Sequence, residues 1–141
     1  DRRRHIAQCI ELFVCRCQVA GLPDDRNADV FDLLPQLEAA HEKPYDFIIL
    51  DPPAYGRGAN GEKWILEENI CEMLACCAQL LEPQGAFLVL NLYSMGLSST
   101  LARTAVRQAF GTPFEEQFGE LCFDDRAGKR LPLGTYCRFA R

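Results

Sequence analysis

The chain predicts an α/β domain: a mostly parallel sheet with helices between its strands and an antiparallel hairpin at the C-terminal end. Three observations carry this. Residues 45–50 and 86–92 are apolar runs of the kind that sheets bury on both faces. They alternate with stretches of helical periodicity, the pattern of right-handed crossover connections. The last quarter holds two strand-like segments joined by Asp124-Asp125-Arg126-Ala127-Gly128-Lys129, a turn-forming run that sets a hairpin's register.

Taken in order, residues 3–20 predict a helix. Ile6, Ile10, Phe13, Cys17 and Ala20 fall at helical spacing, and Gly21 stops it. Arg2, Arg3 and Arg4 oppose the dipole of its first turn, and read as a solvated turn or as a contact to phosphate. Residues 27–31 predict a short strand, followed by a helix near 32–41 and a break at Pro44. The strand at 45–50 runs into a Gly- and Pro-rich loop over 51–62. A helix over 62–81 carries the buried stripe Leu66, Ile70, Met73, Leu74, Cys77 and Leu81, and ends at Pro83 and Gly85. The strand at 86–92 precedes a helix over 97–110, opened by Ser98, Ser99 and Thr100 and closed by Gly111. Strands near 115–123 and 133–140 complete the order.

At 141 residues the chain predicts one domain spanning 1–141. No apolar run approaches the ~20 residues that span a membrane. The opening Asp1-Arg2-Arg3-Arg4 is not a signal peptide, and the expected setting is the cytoplasm. The eight cysteines include no CxxC pair, and with only His5 and His41 beside them no zinc template forms, so no metal is expected. Most of the cysteines fall among apolar neighbours and read as reduced and buried. A net charge of −5 weighs against the chain gripping nucleic acid tightly by itself. The sequence does not fix an oligomeric state.

Chemistry concentrates in Phe47-Ile48-Ile49-Leu50-Asp51-Pro52-Pro53-Ala54-Tyr55-Gly56-Arg57-Gly58. Two prolines end the strand, because neither can donate to a ladder. The strand end becomes a rigid lip with a carboxylate, free carbonyls and an aromatic ring. Open α/β sheets bind ligands at the carboxyl ends of their strands, so this lip suits a flat polar substrate. A plain structural strand end is the competing reading. Arg57 and Lys63 read as a solvated loop or as phosphate contacts, and Trp64 as a packing residue. No glycine-rich phosphate loop occurs, and the chain opens on a helix where a doubly wound sheet would open on a strand.

The segment Asp51–Gly58, followed by Gly61-Glu62-Lys63-Trp64, resembles the DPPxF segment of class I S-adenosylmethionine-dependent methyltransferases. Within them it is most similar to the bacterial large-subunit rRNA methyltransferase group. Leu90-Asn91-Leu92-Tyr93-Ser94-Met95-Gly96 resembles the strand end that follows, and Leu131-Pro132-Leu133-Gly134-Thr135-Tyr136-Cys137-Arg138-Phe139 resembles the group's last strand. The similarity runs in order over nearly the whole chain. It implies a Rossmann-like methyltransferase fold, of which this chain is the later part of the catalytic domain. The first strand and its glycine-rich loop are then absent from this chain, which alone would bind cofactor poorly.

The resemblance assigns S-adenosyl-L-methionine as cofactor. It places Asp1 where an acid bonds the cofactor ribose, although an N-cap role is equally open. Asp29 falls where an acid contacts the adenine amine, with Val30 packing the ring; a helix cap is the alternative for Asp29. Asp51 and the carbonyls of Pro52 and Pro53 would face the methyl donor and the target base, and Tyr55 would stack on that base. The implied partner is RNA, of the large ribosomal subunit, recruited through an upstream module. Methylation at cytosine C5 requires a cysteine nucleophile, which relatives carry after the next strand. Here Tyr93-Ser94 stands there and no cysteine lies between 77 and 122, so an exocyclic amine is the expected target. Two other readings stand beside this: a non-catalytic interaction domain, and a methyltransferase acting on a protein amide or DNA adenine, whose motif tends to begin with Asn.

Overall fold

A computed structural model describes residues 13–14, 45–57, 63–93 and 96–141. Seven strands and two helices lie among them: β1 (Phe13–Val14), β2 (Phe47–Leu50), β3 (Tyr55–Arg57), β4 (Lys63–Ile65), α1 (Leu66–Leu80), β5 (Phe87–Leu92), α2 (Ser99–Phe110), β6 (Glu115–Asp124) and β7 (Arg130–Ala140).

Five strands form one sheet in the order β1-β2-β5-β7-β6. Its parallel pair is β2 with β5, in register from Phe47 opposite Phe87 to Leu50 opposite Leu90. An isolated parallel bridge joins Tyr45 and Leu81. The C-terminal hairpin forms as expected and inserts β7 between β5 and β6, antiparallel to both. Among the described residues the sheet is therefore mixed, not mostly parallel. β1 is a second departure. The helical spacing over 3–20 does not prevail at Phe13–Val14, which pairs antiparallel with Ile49 and Ile48. Phe and Val are strand-forming types, and the edge of β2 supplies the partner. The strand predicted at 27–31 and the helix at 32–41 lie outside the described residues.

The alternation of the strands sorts their side chains into two faces. On one face Ile48, Leu50, Leu88, Leu90, Leu92, Cys137 and Phe139 are all buried. They meet the stripe of α1 (Leu66, Ile70, Met73, Leu74, Cys77, Leu80) and Ala102, Val106 and Phe110 of α2 in one cluster. The predicted stripe of α1 is thus the core, with Leu81 just past its end. On the other face Ile49 and Phe87 remain 43% exposed among the described residues.

The helix ends are satisfied from outside. Ser98 Oγ accepts from Leu101 N and caps α2, and Gly111 ends it at φ 85°. At the C-terminal end of α1, the Arg141 guanidinium donates to the carbonyls of Ala78, Leu81 and Glu82. Arg103 and Arg107 of α2 both donate to Glu116 of β6, tying helix to hairpin. Their bonds hold the Glu116 carboxyl at about 2, well below its ordinary value.

Of the five described cysteines, Cys77 and Cys137 are buried, Cys76 is partly buried, and Cys71 and Cys122 are exposed. The expectation of burial therefore fails at Cys71, on the outer side of α1, and at Cys122, on the outlying part of the hairpin. No helix of the described residues is long and apolar enough to cross a membrane.

Candidate active site at the carboxyl ends of β2 and β5

Asp51 follows the last residue of β2, as the Pro52-Pro53 stop requires. Because Leu50 pairs in parallel with Leu90, the next residues, Asp51 and Asn91, lie side by side on one face. Asn91 Nδ2 donates to Asp51 Oδ1 at 3.1 Å, and the Tyr93 hydroxyl donates to Asp51 Oδ2 at 3.2 Å. Each carboxylate oxygen thus has a partner and keeps capacity for another donor. The carboxylate is exposed, so this pair fixes its orientation without closing it off. Partial burial and the neighbouring Asp51 charge push the Tyr93 phenol above its ordinary value, which keeps the hydroxyl protonated as a donor. Asn91 Oδ1 is buried without a partner among the described residues.

The proline lip is anchored from a place the sequence did not indicate. Trp64 is fully buried, as expected of a packing residue, but it lies in β4 and not in the helix. Its Nε1 donates to the Pro53 carbonyl at 2.6 Å. α1 begins at Leu66, four residues later than predicted, and has no side-chain cap; instead Leu66 N donates to the Ala54 carbonyl at 3.1 Å. The loop expected over 51–62 contains β3, which pairs with β4 from Tyr55 opposite Ile65 to Arg57 opposite Lys63. Pro52 is buried, and Tyr55 is presented on β3 at 51% exposure.

Of the residues singled out in the sequence, Asp51, Pro52, Pro53 and Tyr55 therefore lie on one anchored segment. Asp1, Asp29 and Val30 lie outside the described residues. Asn91, Trp64 and the tethering role of Tyr93 were missed. Asn91 was the legible one: a polar residue inside the run Phe-Leu-Val-Leu-Asn-Leu needs a partner in a buried strand.

Beyond β5 a cavity of about 560 Å³ opens between Tyr93, Gly96, Leu97 and Ser98 and the overhanging part of the hairpin. Tyr93 lines it, as do Leu97, Glu120, Leu133 and Thr135. The β6–β7 register slips between Leu121, opposite Gly134, and Cys122, opposite Pro132, so Leu133 is left without an opposite residue. This bulge puts Pro132, Leu133 and Gly134 at the cavity wall. Gly134, at φ 153°, is needed there: a Cβ would stand 2.5 Å from the Leu92 carbonyl oxygen and 3.4 Å from Tyr93 Cδ1. No group of His, Cys, Asp and Glu suited to a metal ion occurs among the described residues.

No family model matches the sequence, and no curated protein matches it. Solved structures do. A SAM-dependent methyltransferase from Agrobacterium tumefaciens superposes with a TM-score of 0.63 at 30% sequence identity, over 77% of this chain and 37% of that one. SMU.776, assigned as a methyltransferase and complexed with SAH, matches with a TM-score of 0.53 at 17% identity, over 81% of this chain and 32% of its own. A Streptococcus mutans protein assigned as a SAM-dependent methyltransferase gives 0.54 at 15% identity, over 83% and 32%. The chain has the fold of these methyltransferases and spans about a third of their length.

Proposed function

We propose that this chain is the later part of a catalytic domain that transfers a methyl group from S-adenosylmethionine to an exocyclic amine of an RNA base, in the large ribosomal subunit. The observation that carries the reading is the Asp51 carboxylate, exposed at the end of β2 and oriented by Asn91 and Tyr93. Methyltransferase structures of the same fold support the chemistry and the cofactor.

The described residues fit the methyl-bearing end of the cofactor. S-adenosylmethionine supplies an electrophilic methyl on a sulfonium, and an oriented carboxylate at the strand end complements a nearby positive charge. Asp51 is the described residue that would face it; Asp1, Asp29 and Val30 would hold the ribose and adenine.

An exocyclic amine is a weak nucleophile because its lone pair is delocalised into the ring. The open acceptor positions of Asp51 bind an amine N–H and turn the lone pair toward the methyl. S-adenosylmethionine would supply the methyl, its thioether sulfur being the leaving group, and Asp51 would accept the amine proton and pass it to solvent. The tether holds the carboxylate before the acceptor arrives, so little reorganisation accompanies the step. Tyr55, half exposed on β3, offers its ring as a stacking platform. Cytosine C5 chemistry is disfavoured by the same arrangement. None of the described cysteines lines the cavity, and burial together with the Glu116 charge raises the Cys137 thiol to about 11.

Calorimetry on the full-length protein should show binding of S-adenosylhomocysteine, and Asp51→Asn should lower turnover about 10²–10⁴-fold with the fold intact. Mass spectrometry of rRNA nucleosides from a deletion strain should lose one amine-methylated nucleoside. Absence of cofactor binding, or near-normal turnover of Asp51→Asn, would remove the proposal.

A further inference from the structure

Tyr93, whose hydroxyl holds Asp51, also lines the cavity beyond β5, and none of the residues that resemble a known motif accounts for the cavity's charge. Its wall is apolar along Leu97, Pro132 and Leu133, flat along Tyr93, and charged at one place, Glu120. Glu120 stands directly opposite Thr135 in the β6–β7 register, so the two side chains project from the same face of the ribbon. Thr135 is 7% exposed, and its Oγ1 has no hydrogen-bond partner among the described residues. Buried hydroxyls are ordinarily paired, so an unspent one beside a carboxylate marks a polar corner in an apolar recess.

We propose that this cavity receives a second nucleobase of the acceptor, beside the one whose amine meets Asp51, and that Glu120 selects there a base offering an amine over one offering a carbonyl. The inference rests on the reading of the neighbouring site as a nucleobase methyltransferase. About 560 Å³ lies within the range of small-molecule pockets and exceeds the volume of one base. A planar ring would find the Tyr93 ring and the apolar side chains of Leu97 and Leu133 in the lining. An ionised carboxylate can only accept. It therefore bonds the N4 amine of cytosine or the N6 amine of adenine, and repels the O4 carbonyl that uracil presents at the same place. The Tyr93 hydroxyl is committed to Asp51, which fixes the ring against which the base would lie.

The test uses the full-length protein with cytidine, adenosine and uridine as probes, and titrates S-adenosylhomocysteine separately. Cytidine and adenosine should bind about tenfold more tightly than uridine, the size of one hydrogen bond to a charged acceptor. Glu120→Gln presents a donor as well as an acceptor and should bring the ratio to within about threefold. Leu133→Trp should fill the recess and weaken binding of all three nucleosides at least tenfold while S-adenosylhomocysteine still binds. Equal affinities for the native protein, an unchanged ratio in Glu120→Gln, or undiminished nucleoside binding in Leu133→Trp would each overturn the proposal. A preserved nucleoside ratio without S-adenosylhomocysteine binding would instead overturn the methyl-transfer reading and leave the base pocket standing.

Discussion

Replacing Trp64 with Phe tests whether the proline lip is held by one buried indole. Phe keeps an aromatic ring in the core but removes the donor to the Pro53 carbonyl, a bond of 2.6 Å across eleven residues of chain. Losing an ordinary hydrogen bond costs about 0.5–1.5 kcal/mol. Trp64 is fully buried, and the volume lost, roughly 40 Å³ at about 24 cal/mol per Å³ of cavity, adds about 1 kcal/mol. The sum is about 2 kcal/mol, or a fall of roughly 6 °C in Tm for a domain of this size. Urea and thermal denaturation followed by circular dichroism read it directly. On the proposed function, turnover should also fall by about 10–100-fold at a temperature where the variant is fully folded, because Asp51 precedes the loosened prolines and misplacement of about 1 Å has that cost. Leu74→Ala is the control, since Leu74 is equally buried on α1 and removed from the lip in sequence. It should destabilise by about 2–5 kcal/mol and spare turnover when folded. A Trp64→Phe variant within about 0.5 kcal/mol of native, or equal turnover losses in both variants, would refute the anchoring argument.

The remaining predictions follow from the same contacts. Gly134→Ala should destabilise the domain by about 1–3 kcal/mol in denaturant titrations, because its Cβ meets the Leu92 carbonyl oxygen at 2.5 Å and cannot rotate away. The advantage of native over Glu116→Gln should be constant above the ordinary carboxylate value of 4.5 and shrink as pH falls toward about 2, since Glu116 is held ionised by Arg107 and Arg103 only while folded. Acid-unfolding curves of both proteins show this; a gap that widened over that range would contradict it. Peptide-resolved alkylation near pH 8 should modify Cys71 and Cys122 and spare Cys77 and Cys137, whose thiols burial pushes up.

What the sequence made legible follows the range over which each signal acts. The stripe of α1, the two parallel strands and the C-terminal hairpin rest on repeating apolar patterns, and each lies where the pattern puts it, within a few residues. The Asp51-Pro52-Pro53 lip was legible because proline chemistry is local. The elements that were missed depend on partners far along the chain. β3 and β4 have three residues each, too few to show a period; β3 looks like loop because Gly56 interrupts it, and β4 falls within the predicted first turn of the helix over 62–81. Phe13–Val14 fits a helical spacing until the edge of β2 is present to pair with it. The helix was predicted to start four residues before Leu66 because no capping side chain marks the start of α1; its cap is a backbone carbonyl twelve residues upstream. The bulge at Leu133 depends on two strands at once, and Pro132 and Gly134 announce irregularity without saying which residue is left over.

Tyr93 joins the two halves of the site, and the joint explains why a glycine stands opposite it. The hydroxyl holds Asp51 Oδ2, while the edge of the same ring rests where a side chain at position 134 would begin. The ring is therefore positioned by β2 at one end and by β7 at the other. A side chain at 134 would press on the Leu92 carbonyl, and because Leu92 precedes Tyr93 the displacement would pass through the ring and its hydroxyl to the carboxylate. The stability cost of Gly134→Ala and its effect on Asp51 thus share one origin in the register of β5 against β7, where Leu92 pairs with Thr135. Tyr93→Phe separates them, since it keeps the ring at the cavity wall and releases the carboxylate. If the tether matters for turnover and the ring for the recess, Tyr93→Phe should lower kcat with nucleoside affinity retained, whereas Gly134→Ala should disturb both.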